Sequence, residues 1–213
     1  MNSLRASLLD RMIVELDSAL RVLVSVAPPS RCNPGTGIES GNLSAAEQDA
    51  SAALMRVNHA GEVAAQALYR GQAFTTRDRG IEQSLLIAAG EEQDHLLWCQ
   101  QRAHELGGRT SLFGPLWYAG SFALGAAAGL LGRSASLGFV VETERQVEEH
   151  LSGHLEQLPA GDLASRAIVQ QIRTDEAAHG AQARELGGSE LPEPARATMR
   201  VVARVMTTIA HRL

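Results

Sequence analysis

Glu92-Gln-Asp-His95 and Glu176-Ala-Ala-His179 are two copies of a Glu-x-x-His motif, and they lie 84 residues apart in a chain of 213. On an α-helix this spacing places a carboxylate and an imidazole about one turn apart on the same face. A further acid precedes each motif, Glu62 by 30 residues and Glu144 by 32. The chain therefore contains two copies of a helix with one Glu followed by a helix with Glu-x-x-His, which is typical of metal-binding four-helix bundles.

Helical phase places these acids on the apolar stripes of their helices. The stripe around Glu92 contains Ile81, Leu85, Ala88, Leu96, Cys99, Ala103 and Leu106. On the helix that carries Glu144, the same phase puts Glu142, Glu149 and Glu156 on the opposite face, where solvated acids belong. Glu148 lies at the edge of the stripe and is the second choice after Glu144.

Four carboxylates on apolar stripes would be unstable in an ordinary core, because burying an uncompensated carboxylate costs several kcal/mol. Two divalent cations would balance the four charges, and two neutral imidazoles would complete the ligand set. Oxygen and nitrogen ligands with open positions suit iron or manganese better than zinc. Solvated acids with His neighbours would explain either motif alone, but shared phase and spacing favour a two-metal site. Its predicted ligands are Glu62, Glu92, His95, Glu144, Glu176 and His179.

Other polar residues near the motifs have two open interpretations. Asp175 and Glu91 each directly precede a Glu-x-x-His, where a carboxylate could hold the ligand histidine of the partner helix or could be a surface acid. His150 and His154 flank the stripe of the Glu144 helix. A proton or electron relay at His150 is one reading, and a satisfied helix histidine is the other. Cys99 lies on a core stripe and is predicted to serve packing.

The composition excludes several functions. All 19 basic residues are Arg, so mechanisms that need a Lys, such as Schiff-base formation, are excluded. A net charge of −5 argues against nucleic acid as a partner. An aromatic content of 4% argues against a β-sandwich. Two cysteines are too few for a disulfide framework and fit a reducing compartment.

The chain is predicted to be all-α, because no stretch alternates convincingly with period two. Residues 1–43 are predicted to form an N-terminal amphipathic helix, over about residues 3–26, and a loop. Residues 44–213 form the helical bundle, whose first helix begins at a capping box formed by Ser44 and Glu47. The remaining helices are predicted over about residues 79–106, from near 136 to before 159, from 161 to 187 and over 195–211.

Residues 110–132 contain no charged side chain and could by length alone span a bilayer. A single crossing would separate Glu62, Glu92 and His95 from the other predicted ligands, so the segment must return to its own side. It is predicted to be a core element or an interfacial helix or hairpin. Phe113, Trp117 and Tyr118 at its start suit the lipid headgroup zone. Such a segment beside a redox metal site indicates a lipid-soluble substrate.

Four stretches of this sequence resemble the demethoxyubiquinone hydroxylases of ubiquinone biosynthesis. They are Met55-Arg-Val-Asn-His-Ala-Gly-Glu62, Glu91-Glu-Gln-Asp-His95, Leu137-Gly-Phe-Val-Val-Glu-Thr-Glu144 and Asp175-Glu-Ala-Ala-His179. The resemblance implies a ferritin-like four-helix bundle with additional N-terminal, interfacial and C-terminal helices. It also implies a carboxylate-bridged di-iron centre held by the six predicted ligands, with His150 matching a histidine that the family keeps near the metals. The remaining ambiguity is Glu142, which lies two residues before Glu144.

The function that the resemblance implies is O2-dependent hydroxylation of the ring of a polyprenyl methoxy-methyl benzoquinol. It implies two Fe ions per chain, O2 as co-substrate and an external reductant such as NADH, although no dinucleotide fingerprint is visible. The expected partners are a membrane-borne polyprenyl quinol, the membrane surface and accessory proteins of ubiquinone biosynthesis. The expected location is peripheral, on the cytoplasmic face of a bacterial inner membrane. The alternatives are another ferritin-like di-iron protein, such as a tRNA hydroxylase or ferroxidase, and a metal-free helical lipid-binding protein.

Overall fold

The computed structural model describes residues 7–24 and 29–213, and within them every regular element is a helix. This confirms the all-α prediction. The helices are α1 (Leu8–Val24), α2 (Ala45–Thr75), α3 (Arg79–Glu105), α4 (Gly114–Leu130), α5 (Arg133–Gln157), α6 (Leu163–Glu185) and α7 (Glu193–Arg212). The first and last residues predicted for the N-terminal helix, 3–6 and 25–26, lie outside the described residues.

The helix ends follow from local side-chain chemistry. The predicted capping box is present at the start of α2, where the Ser44 hydroxyl accepts from the Glu47 N–H and the Glu47 carboxylate accepts from Ser44. Gly107 and Gly187 end α3 and α6 with φ angles of 76° and 103°, which favour glycine. Helix α5 begins at Arg133, three residues before the predicted start near residue 136, because Gly132 with φ of 89° makes the turn.

The bundle core consists of α2, α3, α5 and α6, with α2 packed on α3 and α5 packed on α6. Two apolar clusters lie at different heights along these helices. One includes Met55, Trp98 and Ile172, and the other includes Tyr69 and Ile81. The sequence positions of the predicted metal ligands fall between those of the two clusters on each helix, so the polar centre lies between two apolar layers.

The charge-free segment forms one helix, α4, which lies along α2. The two backbones approach closely at glycines, and a Cβ added to Gly125 would lie 2.0 Å from the carbonyl oxygen of Leu68. The outer face of α4 is apolar and exposed, at residues that include Leu116, Leu124 and Leu130. Among the described residues, no helix combines the length and apolar character needed to cross a bilayer.

Helix α1 docks on the bundle through its charged residues. Arg11 donates to the carbonyl oxygen of Phe74, and Glu15 forms an ion pair with Arg70 at 2.7 Å. Near the end of α1, Val22 packs beside the start of α4. Most of the large apolar side chains of the helix are exposed instead, namely Leu8, Leu9, Met12, Ile13, Val14, Leu16, Leu20 and Val24. The amphipathic helix is therefore oriented with its apolar face outward.

Candidate metal centre

The structure brings all six predicted ligands together in the centre of the bundle. Two groups of ligand atoms each lie within 4.8 Å of one another, and all the side chains are buried. Glu62 of α2 and His95 of α3 belong to the first group, and Glu144 of α5 and His179 of α6 belong to the second. Glu92 and Glu176 belong to both. The arrangement is that of two adjacent cation positions with two shared carboxylates.

Each imidazole presents Nδ1 to the carboxylates and Nε2 to a separate acid. His95 Nδ1 lies 3.1 Å from a Glu92 oxygen, and its Nε2 donates to Asp175 at 2.9 Å. His179 Nδ1 lies 3.1 Å from a Glu176 oxygen, and its Nε2 donates to Glu91. Asp175 and Glu91 therefore each hold the histidine of the opposite helix, which confirms the first of their two readings. The contact leaves both Nδ1 atoms directed at the cation positions.

The pKa values of the cluster show how it is balanced without cations. Burial, together with the neighbouring carboxylates, raises the pKa values of Glu62 and Glu144 well above the usual range. Burial opposes ionisation of Glu92 and Glu176 as well, but hydrogen bonds from the histidines lower their pKa values overall. Burial would lower the pKa values of both histidines, yet their hydrogen bonds to acids raise that of His95 and bring that of His179 to about 12. Two protonated acids and two imidazolium ions thus accompany two carboxylates.

These residues fit a pair of divalent cations. Glu144 Oε1 is buried, and the described part of the chain offers it no hydrogen-bond partner. Replacing the protons by two cations would satisfy this atom and balance all four carboxylates. The donor set of four carboxylates and two imidazole nitrogens suits iron or manganese. That these residues hold metal stays a prediction.

A cavity of about 660 Å³ lies between α2, α4, α5 and α7 and reaches the centre. Glu62, Glu144 and Glu176 form its polar end. Its walls are mostly apolar and include Leu68, Phe139, Leu124, Met199 and Met206. The part of the wall that α7 contributes was not predicted from the sequence. Its signal is the stripe of residues 195, 199, 203 and 206, which recurs with helical spacing.

Residues 49–210 match the family model described as "Ubiquinone biosynthesis protein COQ7". The chain belongs to this family. Similar proteins include three named 3-demethoxyubiquinol 3-hydroxylase. The one from Ralstonia pickettii is 54% identical and covers 97% of this chain and 100% of its own. Those from Variovorax paradoxus and Chromobacterium violaceum are each 53% identical over 97% of this chain, and over 99% and 100% of their own. The resemblance inferred from the four motif stretches is thereby confirmed.

In this COQ7 family member, Glu142 is buried rather than solvated, so that prediction was wrong. Its carboxylate turns away from the centre and binds Arg145 at 2.8 Å and Gln146 at 2.6 Å. The Arg145 hydrogen bond lowers the pKa of Glu142 despite partial burial. Glu142 is buried because α7 covers this face of α5. The neighbouring Gln146 also donates to a carbonyl oxygen of Arg196 on α7. Glu149 and Glu156 are exposed, as expected, and Glu148, the second choice after Glu144, is exposed as well.

His150 and His154 form a separate pair beside the cavity. Their ring centroids are 4.0 Å apart, and only His150 lines the cavity. His154 Nδ1 lies 2.7 Å from Asn58 Oδ1. Burial lowers the pKa of His150 and brings that of His154 to about 3, so neither ring is charged at neutral pH. A relay role for His150 stays a prediction.

Cys99 is fully buried in the apolar cluster with Met55 and Trp98, as expected for a packing residue.

Proposed function

We propose that this protein hydroxylates the ring of demethoxyubiquinol in ubiquinone biosynthesis, with two iron ions, O2 and an external reductant such as NADH. One observation carries the proposal: three carboxylates of the six-residue cluster, Glu62, Glu144 and Glu176, line one end of an apolar cavity. The names of the similar proteins supply the substrate class. The family also favours this function over the tRNA hydroxylase, ferroxidase and metal-free alternatives.

The six side chains differ in whether they would bind one metal ion or both. Glu92 and Glu176 would bridge both ions, while Glu62 with His95 and Glu144 with His179 would each complete one position. When bound, the iron pair supplies the activation of O2 and the transfer of one oxygen atom to the ring. The second oxygen leaves as water, for which the reductant supplies two electrons and solvent supplies two protons. The apolar layers above and below the ligands keep bulk water out.

The cavity is suited to a ring with a long apolar tail. The ring would lie at Glu62 and Glu144, where the cavity meets the metal centre. Leu124 and Val202 line the cavity and are also about half exposed, at 48% and 50%. The tail would leave the protein between them. An apolar tail gains about 0.8 kcal/mol for each CH2 kept out of water, so the exit must face an apolar medium.

We propose that this medium is the lipid of the inner membrane, on whose cytoplasmic face the protein lies peripherally. The exposed apolar faces of α1 and α4 support this, because the two helices are in contact and present their apolar residues outward. Large exposed apolar surfaces are uncommon on proteins that stay in water. The same faces are available to accessory proteins of the pathway. The apolar face of α1 alone exposes Leu16 and Leu20 by 63% and 62%.

The test is a single-turnover assay on the full-length protein loaded anaerobically with Fe²⁺. Addition of a short-chain demethoxyubiquinol and ¹⁸O2 should yield a product that carries one labelled hydroxyl oxygen. Metal analysis should give about two Fe per chain, and Glu144→Ala should lose the ion at its own position. Activity in the metal-free protein would contradict the proposal. Rapid Fe²⁺ oxidation without any quinol product would favour the ferroxidase alternative.

A further inference from the structure

The two halves of the metal centre have equivalent ligands but are not supported equally. Asp175 holds His95, and Glu91 holds His179. The Asp175 side chain is 17% exposed, whereas that of Glu91 is 46% exposed. Within residues 7–24 and 29–213, the structure gives Glu91 no cationic partner other than the histidine. Asp175 has one, and it comes from outside the four-helix core.

Arg31, in the loop between α1 and α2, lies against the outer side of the His95 half. Its Nη1 donates to Asp175 at 2.8 Å, and its Nε donates to Asp94 at 3.0 Å. The guanidinium carbon lies 4.9 Å from the centre of the Trp98 ring. One planar group therefore joins α3 and α6 to the loop that precedes α2. This loop and α1 are together called the N-terminal arm.

The anchor of Arg31 is itself fixed. Asp94 is buried and accepts two further hydrogen bonds, from the Ser30 N–H at 2.6 Å and the Ser30 hydroxyl at 2.7 Å. Gln171 donates to the second oxygen of Asp175 at 2.9 Å. Asp175 is thus bound by His95, Arg31 and Gln171. Because the guanidinium is rigid and its donors point in fixed directions, it holds both aspartates in one geometry, which the flexible ammonium of a lysine would not do.

We propose that Arg31 is a positioning residue that pre-organises the His95 half of the centre. The position formed by Glu62, Glu92, His95 and Glu176 then binds its cation more tightly than the position formed by Glu92, Glu144, Glu176 and His179. The inference rests on the proposed two-metal function. It assigns a role to a residue of the arm that lies before residues 49–210, the stretch that matches the family model.

The charge of Arg31 acts in the opposite direction from its geometry. A positive charge near a metal position repels the incoming cation, so removal of that charge alone would tighten binding. Arg31 is paired with two aspartates, which offset its charge at the centre. Loss of the geometry should therefore outweigh loss of the charge. For a neutral substitution, loss of the geometry predicts weaker cation binding, whereas loss of the charge predicts tighter cation binding.

The experiment is a titration of the full-length metal-free protein with Co²⁺, followed by calorimetry and by visible absorption, which reports the coordination of each ion. Wild type should show two steps of unequal affinity. Arg31→Met should weaken the tighter step by about 10–100-fold and leave the other within about twofold. Arg31→Lys, which keeps the charge, should weaken the same step. The control is Arg70→Met, which also loosens the arm by removing the Glu15 ion pair but does not touch His95.

Three results would overturn the inference. They are tighter Co²⁺ binding in Arg31→Met, equal weakening of both binding steps in Arg31→Met, and wild-type Co²⁺ affinities in both Arg31→Lys and Arg31→Met. If Arg31→Met does not fold, Asp94→Asn removes the anchor of the guanidinium and should weaken the same single step. If wild type binds no Co²⁺ or Fe²⁺, the proposed function fails as well. Two wild-type steps that Arg31→Met leaves unchanged would refute the role of Arg31 alone.

Discussion

His95 donates through Nε2 to Asp175 at 2.9 Å while its Nδ1 lies 3.1 Å from Glu92, so both ring nitrogens face carboxylates. Nε2 also lies 3.1 Å from Arg31 Nη2, but hydrogen bonds to Asp175, Glu176 and Glu92 outweigh burial and raise the pKa of His95 well above its usual range, which favours the protonated ring in the metal-free protein. His179 has the same arrangement between Glu91 and Glu176. A cation at either position must therefore displace a proton from Nδ1.

Metal binding should release about four protons for two cations near neutral pH. Two come from the histidines and two from Glu62 and Glu144, whose pKa values are all raised in the metal-free state. Since these groups bind protons in competition with metal, affinity should fall as pH decreases throughout the range below their raised pKa values, which includes neutral pH. Calorimetric titration in two buffers of different ionisation enthalpy measures the proton count. Release of fewer than about one proton would contradict these protonation states.

Glu144→Leu should stabilise the metal-free protein by about 1–2 kcal/mol while abolishing metal binding at its position. Glu144 is a buried acid beside Glu176, and its raised pKa reflects an unfavourable environment for charge. Urea denaturation of the metal-free protein gives the change. The matched control is Glu142→Leu, two residues away, which should cost up to about 1 kcal/mol through loss of the Arg145 ion pair and leave metal binding intact. A less stable Glu144→Leu protein would count against this account of the centre.

Gly125→Ala should destabilise the protein by about 1–3 kcal/mol, because the new methyl group would meet the Leu68 carbonyl of α2. Gly120→Ala in the same helix has open space around its Cβ and should instead stabilise by up to about 1 kcal/mol through helix propensity. Thermal unfolding of the two variants side by side measures the difference. Equal stabilities would mean that α4 does not pack closely on α2.

Leu16→Asp and Leu116→Asp should each reduce binding to phosphatidylethanolamine and phosphatidylglycerol vesicles by at least about tenfold, because each removes an exposed leucine from the surface proposed to face lipid. Sedimentation with vesicles measures the bound fraction. Ala178→Asp introduces the same charge at an exposed position of α6 and should bind like wild type. Unchanged binding in both leucine variants would argue against membrane attachment.

The positions of the ligands could be predicted because period and phase on long helices place side chains on a face without any knowledge of the tertiary fold. The same reasoning failed at Glu142, since phase identifies the side away from the bundle but cannot show that α7 covers it. It could not have found Arg31, because a loop residue has no period. Amphipathicity also left open which face of α1 docks, and the answer depended on specific partners for Arg11 and Glu15.

The six side chains of the metal-free centre carry no net charge when two acids and both imidazoles are protonated. The helices can therefore close around it in the absence of metal, unlike a zinc finger, whose fold forms only with its ion. With the proposed iron pair, assembly of the protein and supply of the metal would then be separate events. A cell short of iron would accumulate a folded, inactive form that becomes competent as soon as the metal arrives, without synthesis of new chains.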